Sequence, residues 1–153
     1  QRSERYGYAM SSLIDKLGTE PTRATVVAEC CDLIDAQVKT KGFVIKSGYA
    51  AVKTIKKRFV PEVVDALLNE WLTEMQPHYD RWAVAKQSTF ADYVISRSDD
   101  VAEDLLKVTD RRAEKSSHGT AKKMYSKMRD SAKKNVVEAI PDLARLIQKH
   151  LGS

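Results

Sequence analysis

From Val27 onwards, apolar side chains return every three or four residues along most of the chain. Val27, Cys30, Cys31, Ile34 and Val38 set the spacing, with Glu29, Asp32, Asp35 and Lys39 between them. That period gives a helix one apolar and one wet face, and it does not suit strands, whose side chains alternate every second residue. Only four Pro and six Gly stand in 153 residues, so the rhythm can run long. A chain of this size buries roughly 70% of the surface its unfolded form exposes, which makes a core possible without staples. The sequence therefore predicts an all-α fold, a compact bundle of six or seven helices forming a single domain over residues 10–153. Residues 1–9 lack any apolar period and precede Met10, which reads as a natural start. They are set apart as disordered or upstream residues.

Local signals place the helices. Ser12, with Asp15 three residues on and Gly18 as a stop, marks a short first helix that reads as a lid or arm. The helix carrying Val27 to Val38 should end near Gly42. Over residues 43–59, Val44, Ile45, Gly48, Tyr49, Val52, Ile55 and Phe59 fall on one side, expected to be buried. Lys46, Lys53, Lys57 and Arg58 take the other, with Lys56 at the border. Gly48 costs ~1 kcal/mol of helix propensity against Ala, which predicts a close helix crossing there. Pro61 suits the first turn of the most hydrophobic helix, Val64 to Met75, which Pro77 is expected to kink or end. His78, Tyr79 and Trp82 then sit on a short continuation to Lys86. Ser88 and Thr89 cap a long helix through Phe90, Val94, Val101, Leu105 and Val108, with a bend at residues 96–100. Thr120 opens a segment carrying Met124, Tyr125 and Met128. In the last stripe, Val136 to Leu151, Pro141 is either a kink or the first turn of a separate helix.

Charge is sorted along the chain. Seven cations and no carboxylate lie from Lys39 to Arg58, nine cations and two carboxylates from Arg111 to Lys134, and five acids without one Lys or Arg from Phe59 to Asp80. The two basic segments hold sixteen of the 26 Lys and Arg residues, so a net charge of +5 becomes a strongly positive face if the fold brings them together. Lys46, Lys53, Lys57 and Arg58 form one strip; Lys122, Lys123, Lys127, Lys133 and Lys134, with Arg129, form the other. Such strips attract nucleic acid or an anionic membrane surface by releasing counterions. The bland alternative pairs them with the acids of the middle helices, a mixed-charge surface of little energetic consequence.

Motifs that fix a chemistry are missing from the sequence. A di-iron bundle needs Glu-x-x-His on two helices; what occurs is Glu74 four residues before His78 and Glu114 four before His118. No metal and no cofactor is expected. Adjacent Cys30 and Cys31 do not reach ordinary disulfide geometry and read as packing residues. Asp99, Asp100, Glu103 and Asp104 read as a wet helix face, since nothing nearby forces one of them into the core. No Gly-x-Ser-x-Gly elbow, Gly-rich phosphate loop or dinucleotide fingerprint is present. No apolar run approaches the ~20 residues that cross a bilayer, and no apolar block follows an N-terminal positive charge as in a signal peptide. A cytoplasmic, non-transmembrane chain is expected.

Residues 26–35 (VVAECCDLID), Ile45-Lys46-Ser47-Gly48-Tyr49, Ser131-Ala132-Lys133-Lys134-Asn135-Val136 and Ile140-Pro141-Asp142-Leu143-Ala144 resemble an uncharacterised bacterial helical family of about this length. The resemblance spans residues 10–152 and implies a single helical domain without an assigned activity. Lys41-Gly42-Phe43, and Phe59 ahead of Pro61, are similar to tetracycline-repressor-type regulators. The chain departs from that pattern because sixteen residues between Gly42 and Phe59 are too few for a two-helix DNA-reading element.

Together these observations predict a non-enzymatic helical binding protein with a Lys-rich contact surface. The alternative is a small-ligand pocket around Trp71, Met75, His78, Tyr79 and Trp82, a cluster that helical cores also use for packing. Aromatic residues left over after packing would allow a homodimer.

Overall fold

The computed structural model describes residues 12–152 and contains seven α-helices and no strand among them. They are α1 (Leu13–Leu17), α2 (Thr22–Lys39), α3 (Phe43–Ile55), α4 (Phe59–Ala85), α5 (Phe90–Ser96), α6 (Ser98–Lys115) and α7 (Gly119–Leu151). The expectation for residues 1–9 falls outside the described residues. Two compact units divide the chain, one ending at Leu72 and the other starting at Thr73, so the division falls inside α4.

In the first unit, Ser12 Oγ accepts from the Asp15 N–H, and the Gly18 N–H closes α1 on the Ile14 carbonyl at 2.7 Å. Leu13, Leu17, Val26 and Val64 are fully buried, and Leu67, Leu68 and Leu72 nearly so. Helix α1 is thus a piece of core and not a lid, because two leucines on so short a helix must both find cover. Arg23 of α2 ties the unit together. Its guanidinium donates to Asp65 Oδ1 at 2.8 Å, the Asp65 carbonyl at 2.6 Å, Asn69 Oδ1 at 2.8 Å and the Gly18 carbonyl at 2.9 Å. Four bonds from one planar fork join the end of α1 to α2 and the start of α4.

Helix α3 corrects the sequence reading. Its apolar side was expected in the core, yet none of its residues is buried. Phe43, Val44 and Ile55 are 83%, 82% and 85% exposed. The helix is anchored on α2 through its other side, where Tyr49 and Lys53 both reach Asp35, and this turns the aliphatic arc outward. A Cβ at Gly48 would meet nothing within 4 Å, so no helix crosses there.

In the second unit, neither internal proline ends its helix. Helix α4 continues through Pro77 to Ala85, and α7 runs 33 residues through Pro141. The ~3 kcal/mol a proline costs inside a helix is outweighed by apolar residues buried on both sides of each: Met75 and Tyr79 around Pro77, Ile140, Ala144 and Ile147 around Pro141. The bend expected at residues 96–100 is a break at Arg97, with α5 capped by Thr89 Oγ1 accepting from the Asp92 N–H. Helix α7 packs on α5 and α6. Phe90, Val94, Val101, Ala102, Val108, Ile140 and Ala144 are among the most deeply buried residues of this layer.

Candidate functional site

The first basic strip stands on and just after α3. Lys46, Lys57 and Arg58 are exposed, and among the described residues none has a carboxylate within ion-pair distance. Lys53 is different: its Nζ lies 3.1 Å from Asp35 Oδ1 and 5.3 Å from the Tyr49 ring centroid. Lys56 reaches Glu62 at 3.7 Å. The Tyr49 hydroxyl donates to Asp35 at 2.5 Å; that bond, with help from Lys53, holds the Asp35 carboxyl below its ordinary range. Burial, reinforced by the same carboxylate, raises the Tyr49 phenol. Elsewhere on α2, burial, then Cys31 and Glu29, push the Cys30 thiol up to about 11, which disfavours the reactive thiolate.

The second strip lies along the first half of α7. Lys122, Lys123, Lys127 and Lys134 are exposed without a carboxylate partner among the described residues, and Met124 and Met128 beside them are 57% and 60% exposed. Arg129 and Lys133 face α6 instead. Arg129 donates to Asp110 Oδ1 at 2.8 Å, to its Oδ2 at 2.9 Å and to Glu103 Oε2 at 2.8 Å. Lys133 Nζ reaches Glu103 at 3.0 Å and Asp99 at 3.4 Å. Tyr125 donates to Asp110 at 2.5 Å. The strip is therefore divided: its inner cations neutralise the acids of α6, and its outer lysines face solvent.

The residues of the expected small-ligand pocket differ in burial. Met75, His78 and Tyr79 are buried, while Trp71, in the first unit, and Trp82 are half-buried. Tyr79, Trp82 and Phe90 form a ring cluster with centroids 5.4 to 5.6 Å apart. The Trp82 indole N–H donates to the Ser88 carbonyl at 2.7 Å.

Sequence reasoning placed Asp104 on a wet face and gave His78 no partner; Asp104 is in fact half-buried and is paired with His78. His78 is 2% exposed, with Nε2 2.6 Å from Asp104 Oδ2 and Nδ1 3.1 Å from Arg81 Nη2. A signal was available: Asp104 falls in step with Val101, Leu105 and Val108, and His78 with Met75, Tyr79 and Trp82. Both imidazole nitrogens are engaged, so this pair ties α4 to α6. Among the described residues, no three His, Cys, Asp or Glu side chains gather as a metal site. Nor, among the described residues, is any helix long and apolar enough to cross a membrane.

One family model, described as a family of unknown function (DUF6918), matches residues 13–151. No curated protein and no solved structure matches the chain.

Proposed function

We propose that the chain, which belongs to this family of unknown function, is a non-enzymatic cytoplasmic helical binding protein that meets an anionic partner through the outward cations of α3 and α7. The observation that carries the reading is the set of exposed cations without carboxylate neighbours among the described residues: Lys46, Lys57, Arg58, Lys122, Lys123, Lys127 and Lys134. Lys53 and Lys133 belong less to that surface, since Asp35, Glu103 and Asp99 hold them. Unpaired lysines on helices give a field with no fixed hydrogen-bond geometry, which suits a polyanion recognised by charge density over one recognised base by base.

The test is retention on immobilised heparin across a salt gradient. Reversing Lys46, Lys57, Lys123 and Lys127 together to Glu should move elution to markedly lower salt with an unchanged far-UV circular dichroism spectrum. Equal elution of the parent chain and the variant overturns the reading.

A further inference from the structure

Helix α3 carries two features that rarely share one exposed surface. At roughly 100° per residue, Val44, Ile45, Gly48, Ala51, Val52 and Ile55 share one arc of the helix. Val44 and Ile55, at 82% and 85% exposure, lie at its open centre, and Phe43, at 83%, projects from the first turn. The segment that carries this arc brings only cations of its own, because no carboxylate occurs from Lys39 to Arg58. The opposite side, with Tyr49 and Lys53, is fastened to Asp35 of α2, so the aliphatic arc is held outward by the anchor itself.

Resting on the reading above that these cations meet an anionic partner, we propose that α3 docks in the plane of an anionic phospholipid bilayer. The aliphatic arc enters the headgroup boundary, and Lys57 and Arg58, just beyond the C-terminal end of α3, contact lipid phosphates. A 13-residue helix is about 20 Å long, too short to span a ~30 Å hydrocarbon core and suited to lying in the interface. Charge and apolar surface act together on such a partner. A nucleic acid duplex would engage the cations through its phosphates but leave Val44 and Ile55 in water. An acidic surface of lipid receives both, and the excess of lysine adds attraction that falls off within a Debye length.

The experiment is co-sedimentation of the full chain with vesicles of phosphatidylcholine alone and of phosphatidylcholine with phosphatidylglycerol, beside heparin retention. Sedimentation with the anionic vesicles only is expected, weakening as salt rises. The variant Val44→Ser/Ile55→Ser should lose roughly tenfold or more in vesicle partition while heparin elution stays the same. Ile55→Trp should shift its emission to the blue when anionic vesicles are added, a readout that does not depend on loss of binding. Heparin retention without vesicle binding, unchanged partition of the serine variant, or no spectral shift overturns the lipid assignment and leaves the anionic-partner reading standing. Loss of both heparin and vesicle binding in the parent chain overturns both. A dimer in lipid-free solution that the serine variant converts to monomer puts a second copy on this face and also overturns the proposal.

Discussion

His78 Nε2 lies 2.6 Å from Asp104 Oδ2, joining the second half of α4 to α6 at the edge of the core. Arg81 presents a donor to Nδ1, so Nδ1 accepts and Nε2 carries the proton that Asp104 receives. Burial pushes the Asp104 carboxyl up, but the hydrogen bonds from Lys107 and His78 outweigh it and hold it below its ordinary range.

Removing the acceptor leaves a buried N–H without a partner. Asp104→Ala is expected to cost about 1–3 kcal/mol in urea unfolding, and Asp104→Asn less, since an amide oxygen still accepts. Replacing both residues, His78→Leu with Asp104→Leu, should cost less than the two single changes added together, because neither partner is then stranded. Strict additivity would show that the pair is not coupled.

Acid should loosen the second unit. Asp110 is held low first by its bond from Arg129 and then by Tyr125, and Glu103 by Arg129 and Lys133. A carboxyl depressed in the folded state stabilises above its unfolded value, and that contribution disappears as pH falls through the folded value. Thermal unfolding should therefore be nearly constant from about pH 7 to 5 and fall progressively below about pH 4. In Asp110→Asn the parent stability at neutral pH should be reduced and the acid decline shallower. An equally steep decline in that variant would place the acid sensitivity elsewhere.

The helical class and six of the seven helix positions were legible because apolar period, Ser and Thr caps and Gly stops are local signals, and local signals decide where a helix begins. The continuity of α4 and α7 through Pro77 and Pro141 was not, because it depends on packing either side of each proline. The cations on α3 were legible, but the exposure of Val44 and Ile55 was not. Periodicity marks an apolar face and is silent on whether another element covers it, and here the Asp35 anchor on the far side decides the matter. The pairing of His78 with Asp104 was not legible for the converse reason, since a buried polar side chain is satisfied by a partner on a distant helix that periodicity does not show.

Gly18 is a space requirement. Its φ of −100° is open to any residue, but a Cβ there would lie 2.9 Å from the Ile14 carbonyl oxygen and 3.2 Å from both Leu72 Cδ1 and Asn69 Oδ1. The same carbonyl end of α1 receives Arg23. Gly18→Ala is expected to destabilise by about 1–3 kcal/mol, the range for overpacking, and Arg23→Ala by a similar amount through loss of four hydrogen bonds. Chemical denaturation of both variants checks this. A neutral or stabilising Gly18→Ala would mean that α1 shifts freely and is not part of the core.

The division of the α7 cations yields a prediction in which stability and binding separate. Arg129 holds both oxygens of Asp110 and one of Glu103, whereas Lys127, two residues earlier, faces solvent with no carboxylate partner among the described residues. Arg129→Ala is expected to lower stability by about 1 kcal/mol, the modest value appropriate to a bidentate pair still open to water, and to leave heparin elution nearly unchanged. Lys127→Ala should do the reverse, leaving Tm in place and moving elution to lower salt. If Arg129→Ala shifted elution as far as Lys127→Ala, the inner cations would be available to a partner and their pairing with α6 would be too weak to divide the strip. The two variants measured in both assays thus separate cations that hold the fold from cations that face outward.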